Sequence, residues 1–135
     1  MMALVDTPVW SLALRRARGQ PEPPALELVE LIRDGRAVII GPIRQELLSG
    51  VKTSQQYDLL REHLRAFPDL PLATEDFEVA ASFFNECRAK GVQGSNTDYL
   101  ICAAAARRHL SIFTTDGDFS LFAKILHVDL HNPRQ

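Results

Sequence analysis

Ala3-Leu4-Val5-Asp6-Thr7-Pro8 places an apolar run, a carboxylate and a helix start within six positions. The run reads as a short buried strand. Thr7 suits a helix cap and Pro8 the first helical position, where a missing N–H costs nothing. Asp6 therefore follows a strand directly. The pattern returns near the other end, where Ile112-Phe113-Thr114-Thr115 runs into Asp116-Gly117-Asp118. In an open parallel sheet the carboxyl ends of strands share one edge, so the two carboxylates belong to the same side of the molecule.

The segments between these strands alternate in type. Ala37-Val38-Ile39-Ile40 reads as a strand closed by Gly41-Pro42. Leu70-Pro71-Leu72-Ala73 reads as a weak strand whose proline suits an edge. Leu110–Thr114 and His127–Leu130 supply two more strands. Helices are expected over Ala25–Asp34, with Leu28, Val29, Leu31 and Ile32 as its apolar stripe, over Ile43–Gly50, and over Gln55–Phe67. A longer helix is expected from a Thr74 cap to about Lys90, burying Phe77, Ala80, Ala81, Phe84 and Cys87. Another opens near Asp98, and a short one covers Asp118–Leu126. Gly19–Pro24 is the clearest loop. This order predicts an α/β domain over residues 1–135, a three-layer sandwich with a central, mainly parallel sheet of about five strands flanked by helices.

Composition narrows the function classes without naming one. The chain has 135 residues, 46% hydrophobic and 24% charged, which suits one soluble domain. Its net charge is 15 − 17 = −2, so no global basic field advertises a polyanion. Basic residues cluster locally at Arg15-Arg16-Arg18, at Arg61 and Arg65, and at Arg107-Arg108-His109. Such clusters are more often solvated helix faces than binding surfaces. Cys87 and Cys102 form no metal-binding spacing and fall in apolar helical runs, as small buried hydrophobes do. No signal peptide and no membrane-length apolar run is present, so a cytoplasmic protein is the expectation.

Four carboxylates fall on the shared edge: Asp6 and Asp116 after strands, Asp98 in the first turn of a helix, and Glu46 early in the helix after Ile39-Ile40. Each has an ordinary explanation by itself. Asp6 can serve the helix start, Ser95-x-x-Asp98 has capping-box spacing, Asp116-Gly117-Asp118 is turn chemistry, and Glu46 can face solvent. Gathered together they repel one another and their pKa values rise unless a cation intervenes. An all-oxygen set with no histidine or thiolate suits Mg²⁺ or Mn²⁺, ions that assist phosphodiester hydrolysis.

The flanking residues carry a resemblance. Leu4-Val5-Asp6-Thr7-Pro8-Val9-Trp10 resembles the opening of a PIN domain, and Arg44-Gln45-Glu46-Leu47 its second acidic motif. Thr97-Asp98-Tyr99-Leu100-Ile101-Cys102-Ala103-Ala104 resembles the third, and Thr114-Thr115-Asp116-Gly117-Asp118-Phe119 the fourth. Order and spacing across residues 4–119 resemble a VapC-like ribonuclease toxin. The resemblance implies a metal-dependent endoribonuclease in which Asp6, Glu46, Asp98 and Asp116 hold one or two Mg²⁺ or Mn²⁺ ions. Asp118 would act as a fifth acidic position through water. Thr7 and either Thr114 or Thr115 would orient the ligating carboxylates. Pro8 and Cys102 depart from commoner residues without removing a ligand.

The same resemblance implies an RNA substrate, a cognate VapB-like antitoxin whose tail lies in a helical groove, and a homodimer. The helices at Ala25–Asp34 and Gln55–Phe67 are candidates to line that groove, and Phe83 is a candidate for a dimer surface. A PIN nuclease of RNA maturation or decay, and a catalytically silent RNA-binding module, are the alternatives. A phospho-acceptor receiver domain fits poorly, because Asp6 has no acidic neighbour and no lysine follows His127.

Overall fold

The computed structural model describes residues 1–14 and 21–134. The Arg15-Arg16-Arg18 cluster and the start of the expected Gly19–Pro24 loop lie outside the described residues. Among the described residues, four strands form the sheet: β1 (Ala3–Val5), β2 (Ala37–Val38), β3 (Ser111–Phe113) and β4 (Asp129–Leu130). Their order is β2-β1-β3-β4, and every pairing is parallel. Register sets Leu4 opposite Val38 on one side and Ile112 on the other. β1 and β3 are entirely buried, as the centre of a sheet covered by helices requires.

The expected fifth strand is a correction. Only Asp69 bridges to Ile39, and Leu70 N donates to Ile39 O at 2.9 Å. Pro71 then brings no N–H to a ladder, and its carbonyl accepts from Arg108 Nη2 at 3.0 Å instead.

Among the described residues, seven helices flank the sheet: α1 (Thr7–Leu14), α2 (Pro23–Arg33), α3 (Gly41–Leu48), α4 (Ser54–Leu64), α5 (Thr74–Ala89), α6 (Asn96–Arg108) and α7 (Asp118–Ile125). Asp6, rather than Thr7, caps α1: its carbonyl accepts from Val9 N at 3.1 Å and Trp10 N at 3.4 Å. Trp10 is buried, donates from Nε1 to Val5 O at 3.0 Å, and meets Phe67 edge-on at 5.0 Å. α3 ends at Gly50, whose φ of +81° is the left-handed conformation that favours glycine. α6 runs through the centre of the domain, with Tyr99 to Ala105 buried without interruption. Among the described residues no helix is long and apolar enough to cross a membrane.

Two helices bury a different stripe from the one their apolar residues suggest. α2 turns in Ala25, Glu27, Leu28 and Leu31, leaving Val29 and Ile32 exposed. α5 turns in Asp76, Ala80 and Cys87, while Phe77 is 54% exposed and Ala81 is exposed. Phe83, expected as a dimer contact, is half-buried and packs against the core with Phe84. In both helices the buried stripe includes a carboxylate. Glu27 accepts from Arg134 N at 2.9 Å and lies 2.9 Å from His131 Nε2, while Asp76 meets Arg107 and Arg108.

Candidate acidic site at the sheet edge

Strand connections run in opposite directions from β1, toward β2 on one side and β3 on the other, so a crevice opens beyond the ends of β1 and β3. Asp6 sits at that crevice with its N–H bonded to Phe113 O at 2.8 Å, only 5% exposed. Thr7 N donates to Asp6 Oδ1 at 2.9 Å, and Thr114 Oγ1 donates to Oδ2 at 2.8 Å. The two threonines also reach outward. Thr7 Oγ1 donates to Glu46 Oε2 at 3.2 Å, and Thr114 Oγ1 accepts from Asp116 N at 3.0 Å. Hydroxyl and amide bonds thus tie Asp6 to α3 and to the loop after β3. Thr115, the other threonine considered, is exposed and makes none of these bonds.

Asp98 stands in the first turn of α6 and does what its spacing suggests. Ser95 Oγ accepts from Asp98 N at 3.1 Å, while Asp98 Oδ2 accepts from Ser95 N at 3.0 Å. Asp116 Oδ1 accepts from Asp118 N at 2.9 Å, closing the turn that starts α7. Each of Glu46, Asp98 and Asp116 therefore spends one oxygen on a hydrogen bond, local for Asp98 and Asp116 and to Thr7 for Glu46. Their second oxygens have no hydrogen-bond partner among the described residues. Asp118 is exposed at the rim. An open cleft of about 480 Å³ lies between Thr7, Gln45, Glu46 and Ser49 on one wall and Thr97 on the other.

Electrostatics separate Asp6 from ordinary structural carboxylates. Burial pushes its pKa up, the Thr114 and Thr7 bonds pull it down, and the charges of Asp98 and Glu46 push it up again; the net shift is upward. Among the described residues no Lys, Arg or His forms an ion pair with Asp6, Glu46, Asp98, Asp116 or Asp118. One turn beyond Asp98, burial foremost and then the Asp98 charge push the Cys102 thiol up. Among the described residues, no three His, Cys, Asp or Glu side chains are close enough to hold one metal ion together. Asp6, Glu46 and Asp98 are coupled electrostatically, and Asp116 joins them through Thr114.

The PIN domain family model matches residues 3–125, nearly the whole chain. The chain belongs to the PIN domain family. No curated protein sequence matches it. Among solved structures it resembles FitAcB from Neisseria gonorrhoeae, with 24% identity, 98% of each chain covered and a TM-score of 0.77. VapBC2 from Rickettsia felis, bound to a promoter DNA fragment, gives 19% identity, 98% of each chain and 0.75. VapBC-1 from nontypeable Haemophilus influenzae gives 15% identity, 98% of each chain and 0.73. At these identities the likeness is one of fold.

Sequence reasoning missed what the arginines of this PIN domain do. Arg107 Nη1 lies 2.6 Å from Asp76 Oδ1; Arg108 donates to both Asp76 oxygens, at 2.7 and 2.8 Å. Arg108 foremost holds the fully buried Asp76 carboxyl well below the usual carboxylate range. Arg44, two residues before Glu46, donates to Asp69 Oδ1 at 2.9 Å, to Leu64 O at 3.0 Å and to Phe67 O. These bonds fasten α3 to the end of α4. No local pattern announces these bonds, because their partners lie 20 or more residues away in sequence.

Proposed function

We propose that this chain is a metal-dependent endoribonuclease, the toxin member of a toxin–antitoxin pair. One observation carries the reading: the buried Asp6 at the sheet crevice has a raised pKa and no cation, in a PIN domain whose neighbouring carboxylates keep oxygens unbonded. The donor chemistry fits a hard divalent ion, since every candidate ligand is a carboxylate oxygen. Asp6, Glu46, Asp98 and Asp116 would hold Mg²⁺ or Mn²⁺, with Asp118 contributing through water. Glu46 is exposed, and exposed side chains change rotamer within nanoseconds. A bound ion would polarise the scissile phosphate and help ionise an attacking water. Thr7 and Thr114 hold the Asp6 carboxylate in one orientation by donating to its neighbours and to it.

An inhibitory antitoxin belongs to the same reading, supported by relatives that are themselves described as VapBC assemblies. A groove of about 1010 Å³ runs along α1, α3 and α4, lined by Leu14, Leu47, Leu59 and Leu60 with Lys52 and Gln55 at its rim. An amphipathic antitoxin segment suits that mixture. This groove would use α4, one of the two helices proposed from the sequence, together with α1 and α3. A homodimer, a cytoplasmic location and an RNA substrate complete the reading; light scattering on the purified protein measures the first.

The test is Asp98→Asn and Asp6→Asn. Asparagine keeps the size of the side chain and still accepts a hydrogen bond, so both variants are expected to fold. Both are expected to lose Mn²⁺-dependent RNA cleavage and growth arrest on induction. An Asp98→Asn protein that cuts RNA at the parent rate refutes the assignment.

A further inference from the structure

The carboxylates of the acidic edge stand on supports of unequal strength. Asp6 follows the central strand β1, and its N–H is bonded to Phe113 O on the neighbouring strand. Asp98 opens α6, which is buried without interruption from Tyr99 to Ala105 and tied at its far end to Asp76. Glu46 stands on α3, a helix of 8 residues that follows the terminal strand β2 and buries only Ile43 and Leu47. Its N-cap, Ile40, makes no side-chain capping bond. A helix this short depends on tertiary contacts to hold its place. Yet one face of it, Pro42, Gln45, Glu46 and Ser49, lines the cleft.

Arg44 supplies the support that packing does not. Two positions along an α-helix turn about 200° around its axis, so Arg44 leaves α3 on the side away from Glu46. All three guanidinium nitrogens are engaged: Nε donates to Asp69 Oδ1 at 2.9 Å, Nη1 to Leu64 O at 3.0 Å, and Nη2 to Phe67 O. Leu64 ends α4 and Phe67 lies just beyond it, where helix carbonyls lack partners within the helix. Asp69 in turn bridges to Ile39, just past β2. One planar fork thus joins α3 to α4 and to the segment that prolongs the sheet, and it resists rotation of α3 as well as translation. On the cleft side, the bond from Thr7 Oγ1 to Glu46 Oε2 is long at 3.2 Å and holds the helix only loosely.

We propose that Arg44 is a positioning residue of the cleft: by anchoring the back of α3 it sets where the Glu46 carboxylate stands relative to Asp6. The proposal rests on the reading of Glu46 as a metal ligand and adds a residue that acts through it. Arg44 itself touches neither the ion nor the substrate.

The test is a double-mutant cycle read by calorimetric titration of the purified protein with Mn²⁺. Arg44→Ala is expected to weaken Mn²⁺ binding about tenfold, the usual cost of removing a group that orients a metal ligand. Glu46→Gln is expected to weaken binding as well, and adding Arg44→Ala to it should cost nothing more. Arg44→Lys keeps the charge without the fork, so its affinity should fall between parent and Arg44→Ala; it carries the same cycle should the alanine variant fail to fold. Amide hydrogen exchange on the metal-free protein is the second readout. In the Arg44 variant the α3 amides should exchange faster, with β1 and α6 unchanged. Parent affinity in the Arg44 variant overturns the proposal. So does the same loss repeated in the Glu46→Gln background, because general loosening acts on every ligand. Mn²⁺ binding by the parent with unchanged α3 exchange refutes the anchor alone. A parent that binds no Mn²⁺, with faster exchange confined to α3 in the variant, refutes the metal reading alone and upholds the anchor.

Discussion

At the C-terminal end of α6, Arg107 and Arg108 close on the buried Asp76; at its N-terminal end, Asp98 lies within electrostatic reach of the buried Asp6 with no cation among the described residues. Asp76 and Asp6 are nearly equally hidden, at 0% and 5% exposure, yet their pKa values move in opposite directions. Burial raises both. Two guanidinium groups reverse the effect at Asp76, whereas one hydroxyl and one amide fail to reverse it at Asp6. One end of the helix is a finished ion pair. The other end is short of positive charge, and that deficit makes it the candidate site.

The largest effect is expected from breaking the finished end. Asp76→Ala leaves Arg107 and Arg108 facing each other without their carboxylate and frees the Ala73 N–H that Asp76 Oδ2 accepts at 2.7 Å. The expected loss is about 3 kcal/mol in urea unfolding, the lower end for a broken buried pair because both arginines are partly exposed. Because the folded pKa of Asp76 is lowered, its contribution is present at neutral pH and is lost as pH falls below the ordinary carboxylate value. A variant within roughly 0.5 kcal/mol of the parent, the usual scatter of a surface substitution, would show that the pair merely decorates the core.

Supplying the missing cation sharpens the other end. Mg²⁺ or Mn²⁺ at about 100 times its dissociation constant is expected to stabilise the parent by about 2.7 kcal/mol, read as a rise in melting temperature. Asp6→Asn is expected to lose that response. Without metal, the raised pKa of Asp6 means its stabilising contribution is present at acid pH and fades as pH rises through the folded value. The parent-minus-variant stability is therefore expected to fall from acid to neutral pH, opposite in sign to Asp76→Ala. Identical metal responses in parent and variant would remove Asp6 from the ion site.

A third change displaces the acidic end without touching a charge. A Cβ at Gly94 would come within 2.6 Å of Phe122 Cζ and 3.1 Å of Tyr99 Cε2. Phe122 is fully buried and packs on Tyr99 at 5.0 Å, so it has little room to yield. Gly94→Ala is expected to cost about 2 kcal/mol and to shift the start of α6 that carries Asp98. Cleavage should fall more than tenfold at a temperature where the protein remains folded, with tenfold corresponding to roughly 1.4 kcal/mol.

The contrast between the two ends also explains what the sequence discloses. The acidic edge was legible because Asp6 and Asp116 follow apolar strands, and strand ends dictate side and edge by topology alone. The capping role of Asp98 was legible from the Ser95-x-x-Asp98 spacing, and it occupies only one carboxylate oxygen. Asp76 was not legible. Its helix looks as if Phe77 faces the core, and an aspartate at the head of a buried stripe makes sense only once arginines 31 and 32 positions later are known. Glu27 hides in the same way, since His131 and Arg134 offset its burial from over 100 positions away. The fifth strand failed for a local reason: Pro71 has no donor, and Arg108 claims its carbonyl. Long-range charge pairing is the common thread in what periodicity misses.

The smallest expected effect tests whether Asp98 is a cap, a site carboxylate, or both. Ser95→Ala removes the acceptor of Asp98 N but leaves Ser95 N, now the alanine amide, on Asp98 Oδ2. The expected cost is about 1 kcal/mol of stability, with cleavage retained within a few fold. Asp98→Asn has the reverse signature, since an amide oxygen still accepts from residue 95 while the carboxylate charge is gone. Stability should hold and cleavage should vanish. If both variants lose stability and keep activity, Asp98 only caps α6, and the charge deficit at that end belongs to Asp6 and Glu46 alone. Opposite signatures would show one carboxylate using one oxygen to start a helix and the other to serve the site.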